Sequence, residues 1–202
     1  PEWTTLDQLN REKEVVGVYI SGHPLDDFRF EQEQFANAAT VDLQDIEAMK
    51  QRRDIKVAGI ITKAEHLTSK TGNPYGKFTL EDYEGTHEFM LFKDDYIRFK
   101  NYLTENWFVL VSVGIQSWFN KREQRETLRL SVTKIDLLAE LREKMVKQVV
   151  LDVEVQSISD KLIDRIKGMC SKNKGSIPIQ INVHDNGTII EMPSRSMKVN
   201  LT

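Results

Sequence analysis

The sequence predicts an α+β protein in which a five-stranded OB-fold β-barrel follows an N-terminal helical arm and precedes a small C-terminal α/β domain of β-α-β-β-β order. Two observations carry this prediction. Apolar residues recur every three or four positions in residues 1–54, and every second position from residue 55, which marks a change from helix to strand periodicity. Five strand-like segments then extend to residue 137, with one helix-like segment after the third, and this is the chain order of an OB-fold.

The arm in residues 1–54 is expected to contain two helices. A threonine at position 4 or 5 can cap the first helix, and its apolar positions continue at helical spacing as far as Ile20. The sequence Ser-Gly-His-Pro at residues 21–24 predicts its end, because glycine allows a left-handed backbone and proline cannot continue a helix. We interpret this motif as a rigid stop in which His23 hydrogen-bonds locally. A second, short helix is predicted from Thr40.

The barrel strands in residues 55–137 are indicated by alternating apolar residues between turn sequences. The strands are predicted at residues 55–62, 77–83, 86–92, 107–118 and 126–135, and the helix at residues 94–103. The first loop, Ser-Lys-Thr-Gly-Asn-Pro at residues 69–74, is dense in residues that favour turns. On pattern alone, a five-stranded sheet with one helix that does not close into a barrel remains the alternative.

The C-terminal domain in residues 138–202 begins with a predicted linking helix. A strand at 149–155, a helix capped by Ser159, and strands at 177–183, 188–192 and 197–201 follow. The sequence His-Asp-Asn-Gly between the second and third of these strands is a strong hairpin signal. The β-α-β-β-β unit after the linking helix has about 55 residues and is marginally stable alone, so we expect it to pack on a neighbour.

Composition and charge restrict the classes of function. The chain has 202 residues and a net charge of −3. Residues 1–54 carry 6 basic and 12 acidic side chains, residues 55–137 carry 12 and 11, and residues 138–202 carry 10 and 8. The acidity therefore lies in the arm, and any nucleic-acid contact by the barrel must be local and modest rather than that of a strong duplex binder. The sequence contains no run of about 18 apolar residues, so no membrane-spanning helix is predicted.

Two further features concern the protein's setting. The chain has one cysteine, Cys170, so an intramolecular disulfide is excluded, a reducing cytosol is expected, and the thiol is expected to fill a helix-packed core. The first residues, Pro-Glu-Trp, resemble neither a start methionine nor a secretory signal. We expect them to mark a cut inside a longer protein.

The sequence offers little chemistry for catalysis. The four histidines are scattered without a second ligand three or four residues away, so no metal site and no cofactor are expected. The adjacent carboxylates Glu81 and Asp82 point to opposite faces of a strand and cannot share an ion. No set of carboxylates is predicted to converge on paired metals, as a polymerase active site requires. We therefore expect a binding module rather than an enzyme.

The candidate nucleic-acid contacts are aromatic and basic residues around the barrel's first and last loops. OB-folds bind ligands between these loops, where aromatic rings stack on bases and cations pair with phosphates. The candidates are Lys63, Lys70, Tyr75, Lys77, Phe92, Trp118, Phe119, Lys121, Arg122 and Arg129. Two questions stay open. Phe78 and Phe89 either fill the barrel core or stack on bases. Lys121 and Arg122 in the last loop either bind phosphate or are only solvated.

One long segment carries a family resemblance. Residues 12–25, EKEVVGVYISGHPL, closely resemble a segment of the bacterial DNA polymerase III alpha subunit, in which a helix and a Gly-His-Pro-Leu turn lead toward an OB-fold. Barrel segments at 57–61, 70–75 and 78–82 also resemble this family, together with Gly85, Phe92 and Tyr96. The resemblance extends from residue 9 to about residue 135, and more loosely beyond it.

This resemblance implies a place in a replicase. The polymerase palm, with its catalytic aspartates, would lie upstream of this chain, and the barrel would guide single-stranded template DNA. By their place in the chain, residues 138–202 would dock the tau subunit of the clamp loader. The implied setting is the bacterial cytoplasm, at the nucleoid-associated replisome, with the remainder of the polymerase as a further partner and no membrane. An RNA- or tRNA-binding OB module, or the same region of an error-prone polymerase paralogue, is the alternative.

Overall fold

The computed structural model describes residues 3–120 and 125–200, apart from the side chains of residues 118–120, 125, 126 and 143. The chain divides into two compact units, Pro1–Ala139 and Glu140–Thr202. The finer division into an arm at 1–54, a barrel at 55–137 and a C-terminal domain at 138–202 stays a prediction. None of the helices in the described ranges has the length and apolar character needed to cross a membrane.

The first helix of the arm, α1 (Thr5–Val16), is shorter than the sequence predicted. Thr4 caps it by accepting a hydrogen bond from the Asp7 backbone, and the Asp7 carboxylate accepts from the Thr4 backbone in return. The helix ends at Gly17, which has a φ of 86° and donates its N–H to the Lys13 carbonyl. The prediction that α1 reaches Ile20 was wrong, because this left-handed glycine ends the helix before the Gly-His-Pro motif.

The rest of the arm is a series of short helical turns. These are a 3₁₀ turn at Pro24–Phe28, helix α2 (Arg29–Phe35), a 3₁₀ turn at Val41–Gln44 and helix α3 (Ile46–Met49). The second predicted helix is thus divided at Asp45, whose side chain caps α3 by accepting from the Ala48 backbone at 3.0 Å. Helix α2 was not predicted from the sequence.

The first unit is built on a five-stranded antiparallel sheet. Its strands are β1 (Ile55–Thr68), β2 (Pro74–Glu81), β3 (Thr86–Phe92), β4 (Phe108–Asn120) and β5 (Arg125–Leu137). Their spatial order is β3-β2-β1-β4-β5, and helix α4 (Lys93–Phe99) with a 3₁₀ turn at Lys100–Tyr102 lies between β3 and β4 in the chain. The predicted OB-fold order is confirmed, with β3 and β5 as the two edges of the sheet.

The core of this unit is formed by the inward-facing side chains of all five strands. Phe78 and Phe89 stack inside it with ring centroids 5.0 Å apart, so the structure favours barrel filler over base platforms for both. Leu43 and Met49 of the arm belong to the same buried cluster. Burial of these arm side chains stabilises the arm against the barrel, because apolar area removed from water contributes roughly 25 cal/mol per Å².

The second unit is a three-stranded sheet of order β6-β7-β8. Helix α5 (Leu138–Met145) precedes it, and its elements are β6 (Val149–Glu154), a 3₁₀ turn at Val155–Ser157, α6 (Asp160–Lys172), β7 (Lys174–Asp185) and β8 (Thr188–Val199). Strands β6 and β7 are parallel, as a crossover through a helix requires. Cys170 of α6 is buried against Ile179 and Val199, as expected.

The end of this unit differs from the sequence prediction. The two strands expected at 188–192 and 197–201 form the single strand β8, so the order is β-α-β-β. Gln180 pairs with Pro193 and Pro178 pairs with Lys198, so β8 contains extra residues opposite a short stretch of β7. Within this bulge the Met197 backbone donates to the Ser194 hydroxyl at 2.9 Å, which keeps the chain in line with the sheet.

Candidate nucleic-acid interface

The outward face of strands β1, β2 and β3 presents three rows of side chains. Pairing between the strands aligns Leu67 with Tyr75 and Phe92 in the first row. The second row is Glu65, Lys77 and Met90, and the third is Lys63, Thr79 and Glu88. The first row is apolar and aromatic, whereas the other two are dominated by charge. This is the strand 2–3 face that OB-folds use to bind oligonucleotides.

Two aromatic rings in the first row stack on each other. Tyr75 and Phe92 have centroids 5.6 Å apart and planes inclined by 20°. Phe92 remains 41% exposed at the sheet edge. The Arg129 guanidinium of β5 lies 5.9 Å from the Phe92 ring centroid, within the range of a cation–π contact. Ring faces and a cation therefore meet at one place, which suits a stacked base next to a phosphate.

The loop between β1 and β2 borders this aromatic pair. Its turn is held by bonds from the Ser69 backbone to the Asn73 carbonyl and from the Gly72 backbone to the Ser69 carbonyl, both 2.9 Å. The Ser69 hydroxyl also accepts from the Asn73 backbone at 3.0 Å, and Gly72 has a φ of 79°. A loop ordered by its own hydrogen bonds leaves the exposed side chain of Lys70 facing solvent.

A cleft of about 490 Å³ lies between this loop and the sheet edge. Its lining comes from the loop, the aromatic pair, the start of α4 and β5: Ser69, Thr71, Asn73, Pro74, Tyr75, Phe92, Lys93 and Arg129. Lys93 has a φ of 50°, a backbone conformation that non-glycine residues rarely adopt and that often occurs at functional sites. Two cations and two aromatic rings thus line one cleft.

The basic residues of the other two rows are neutralised by carboxylates. Lys77 lies 3.0 Å from a Glu65 oxygen and 3.4 Å from a Glu88 oxygen, and Lys63 lies 2.9 Å from Glu65. Hydrogen bonding to Glu65, and then to Glu88, raises the pKa of Lys77. The bond from Lys63, and then that from Lys77, lowers the pKa of Glu65. Ion pairs at an exposed surface contribute little stability, so we interpret this cluster as a charge-balanced border of the cleft.

The structure brings only some of the sequence-predicted residues together. Tyr75, Phe92 and Arg129 meet at the cleft, Lys70 is in the adjoining loop, and Lys63 and Lys77 belong to the neutral cluster. The side chains of Trp118 and Phe119, and all of Lys121 and Arg122, lie outside the described residues. The assignment of all ten candidates to nucleic acid stays a prediction.

Two residues near the cleft were missed by sequence reasoning. Met90 is 52% exposed on β3, two positions before Phe92 and therefore on the same face. Strand alternation was a sufficient signal for Met90. Lys93 was not predicted, because the cleft that it lines forms between segments distant in sequence. Among the described residues, no group of three potential ligands is placed to hold a metal ion.

The arm is fixed to the end of β2 that lies away from the cleft. Lys13 of α1 forms an ion pair with the largely buried carboxylate of Glu81, and the Lys13 ammonium lies 4.9 Å from the Tyr19 ring centroid. Burial, followed by the nearby Glu81 carboxylate, raises the pKa of Tyr19 to about 12. The next residue, Asp82, accepts from the Thr40 backbone at 2.6 Å and from the Thr40 hydroxyl at 2.8 Å.

The Gly-His-Pro motif also contacts the barrel. His23 caps the following 3₁₀ turn by accepting from the Leu25 backbone at 3.1 Å, which agrees with the expected local role. Its ring centroid lies 4.3 Å from that of Tyr83 in the β2–β3 turn. Tyr83 in turn donates to the Asp26 carboxylate at 2.9 Å. Burial is the main cause that lowers the pKa of His23.

Comparison with known proteins agrees with this architecture. Residues 55–138 match the tRNA anti-codon family model, described as an OB-fold nucleic acid binding domain. The chain is 26% identical over 180 residues to the DNA polymerase III subunit alpha of Escherichia coli O157:H7, a match that covers 89% of this chain. The chain resembles the polymerase III alpha subunit.

The same resemblance extends to distant bacteria. The alpha subunits of Vibrio cholerae and Aquifex aeolicus are 26% and 25% identical to this chain, over 90% and 84% of its length. The polymerase III resemblance inferred from the Gly-His-Pro-Leu segment is thereby confirmed. This chain spans only 15% of the length of the Vibrio cholerae subunit and 14% of the length of the Aquifex aeolicus subunit.

Two solved structures of single-stranded DNA-binding proteins are also similar. Rim1 from the mitochondria of S. cerevisiae has 20% sequence identity and a TM-score of 0.30, covering 42% of this chain and 94% of its own. The small single-stranded DNA-binding protein from Streptomyces coelicolor has 14% identity and a TM-score of 0.26, covering 43% and 94%.

Proposed function

We propose that this chain is a non-catalytic module of a replicative DNA polymerase alpha subunit, whose OB-fold binds or guides single-stranded template DNA. The observation that carries the proposal is that the stacked pair of Tyr75 and Phe92 meets Arg129 at one cleft. Base–aromatic stacking contributes about 1–3 kcal/mol per base and tolerates any sequence, as a template guide requires. The polymerase III resemblance supports the replicative setting, and with it a cytoplasmic site of action.

We expect the binding to be weak and moderately dependent on salt. The charge-balanced cluster at Lys63 and Lys77 leaves few cations for phosphates, so about three to five contacts are expected. The slope of log affinity against log salt concentration is then about −2 to −3.5, at about −0.7 per phosphate on a single strand. Binding of a labelled oligo-dT to the chain across a salt series measures this slope.

Substitution of Phe92 tests whether the aromatic pair binds DNA. Phe92→Ala is expected to weaken oligo-dT binding by about fivefold to a hundredfold, the equivalent of one lost stacking contact. Ile97→Ala is the matched control, because Ile97 is an exposed apolar residue of α4 that lines neither the cleft nor the sheet face. Circular dichroism establishes that both variants fold. An equal loss of oligo-dT affinity in both variants, or no loss in either, contradicts a role of the aromatic pair in binding.

The same assay separates the alternative functions. An RNA- or tRNA-binding module would bind oligo-U more tightly than oligo-dT under identical salt, and this result would replace the DNA proposal. Primer extension by a clean preparation of the chain would contradict the non-catalytic proposal. The expectation is no nucleotide incorporation, since a polymerase site needs carboxylates that converge on paired metal ions and the described residues contain no group of three or more potential metal ligands.

For the predicted C-terminal domain, residues 138–202, the proposal is docking of the clamp-loader tau subunit. Its support is its place in the chain and the exposed side chains of Ile190 and Met192, which share one face of β8. Ile190→Asp is expected to weaken binding to purified tau, whereas Ile158→Asp, at a second exposed apolar residue, serves as the control. An error-prone paralogue would fold in the same way but fail to bind tau.

A further inference from the structure

A second, smaller cleft lies between the two edge strands of the barrel. Within the described residues, β3 and β5 are not hydrogen-bonded to each other, and a cleft of about 190 Å³ separates them. It is lined by Met90, Phe92, Asp95, Gln116, Ser117, Arg129, Leu130, Ser131 and Val132. Phe92 and Arg129 also line the larger cleft beside the β1–β2 loop, so the two clefts meet at this pair.

The size of the smaller cleft selects what enters it. Sites for whole small molecules measure about 300–1,000 Å³, so this cleft accommodates a single planar ring rather than a complete nucleotide. Met90, Leu130 and Val132 supply apolar walls, and Phe92 supplies the edge shared with the larger cleft. A single-stranded DNA with one base stacked on Phe92 could turn a neighbouring base into this cleft, and a single base has this size and shape.

The polar part of the lining selects among bases. The Asp95 carboxylate and the Gln116 amide are exposed to the cleft, and neither has a hydrogen-bond partner within residues 3–120 and 125–200. An ionised carboxylate only accepts hydrogen bonds, so it pairs with the amino group of a base and repels carbonyl oxygens and phosphates. Carboxylates recognise the amino group of cytosine in the same way in DNA grooves.

We propose that the cleft between β3 and β5 binds one nucleobase that carries an exocyclic amino group, with Asp95 accepting its hydrogen bond. This inference rests on the proposed binding of single-stranded DNA and adds base selectivity to it. Cytosine is preferred to uracil, because uracil presents a carbonyl oxygen where cytosine presents the amino group. The N3–H of uracil does not compensate, since two carbonyl oxygens flank it and oppose the carboxylate.

Oligodeoxycytidine and oligodeoxyuridine of equal length form the test, because they share one backbone and differ only in the pyrimidine ring. Fluorescence anisotropy on the full chain is expected to show about threefold to tenfold tighter binding of the cytidine oligomer. Asp95→Ala is expected to bring this ratio to about one. The ratio is the informative quantity, because removal of a negative charge strengthens the binding of both oligomers.

Asp94→Ala provides the control with the same change of charge at the neighbouring position, which lines neither cleft. The cytidine preference must survive in this variant. A wild-type ratio of one, or a preference that Asp95→Ala leaves intact, overturns the base pocket while oligonucleotide binding itself stands. Failure of both oligomers to bind at low salt instead overturns the proposed DNA function, and the pocket with it.

Discussion

Gly59 in β1 shows how closely neighbouring strands approach at a single residue. A Cβ added there would lie 2.5 Å from the Glu81 carbonyl oxygen and 2.7 Å from the Leu80 Cγ. Real Cβ atoms do not approach backbone oxygen this closely, so a side chain requires the strands to separate. The position lies in VAGII, one of the segments that carry the family resemblance.

We therefore expect Gly59→Ala to reduce the free energy of unfolding by about 1–3 kcal/mol, the usual cost of overpacking a core. Urea denaturation followed by circular dichroism measures the change. Gly168→Ala in α6 is the contrasting variant, because nothing lies within 4 Å of its added Cβ. Helix propensity predicts a gain of about 0.5–1 kcal/mol there. Similar stability of Gly59→Ala and the wild type would show that the strands can adjust.

Among the elements, the β2–β3 turn depends on the buried side chain of Asp82. One of its oxygens accepts from the Glu84 and Gly85 backbones at 2.9 and 3.0 Å, and the same oxygen accepts from the Thr40 hydroxyl. The carboxylate therefore shapes the turn and holds the arm. The sequence indicated the turn through its glycine, but not the second role, which joins residues 42 positions apart.

Asp82→Asn is expected to destabilise the first unit by about 1.5–3 kcal/mol, because an amide replaces a charged acceptor of several hydrogen bonds. Thermal unfolding of the full chain measures the loss. Glu84→Gln removes a charge from an exposed position in the same turn and is expected to change stability by less than about 0.5 kcal/mol. Equal effects in the two variants would contradict the anchoring role.

Sequence reasoning was most successful where one residue type decides the local structure. The Asn-Gly hairpin, the Ser159 cap and the strand alternation of the barrel all follow from short-range rules. Helix α2 was missed because it has only seven residues, and a helix this short depends on tertiary contacts that the sequence pattern does not show. The cleft was only partly foreseen, since Arg129 reaches Phe92 through the folding together of two strands that are distant in sequence.

At the scale of the whole molecule, two histidines make the first unit sensitive to mild acid. Burial is the main cause that lowers the pKa of both His23 and His87 below the usual 6.5. Each histidine is therefore neutral in the folded state at a pH where the unfolded chain already binds a proton. Their stabilising contribution is complete above about pH 6.5 and is lost as the pH falls through 6.5 toward the folded pKa values.

We expect the free energy of unfolding to fall as the pH decreases below about 6.5, before the carboxylates titrate near about pH 4. Urea denaturation at a series of pH values measures this profile. In the double variant His23→Gln, His87→Gln, the decline over this range should disappear, even if the starting stability is lower. A decline that persists in this variant would assign it to other groups.

Strand β2 joins the arm to the cleft. Its last residue, Glu81, and the adjacent Asp82 hold the arm, and near its first residue Tyr75 lies against Phe92 at the cleft. Because β2 is hydrogen-bonded to β1 on one side and to β3 on the other, it does not bend independently of these strands. Rotation of the arm would thus be transmitted along β2 as torque, which couples the orientation of the arm to the cleft at the other end of the strand.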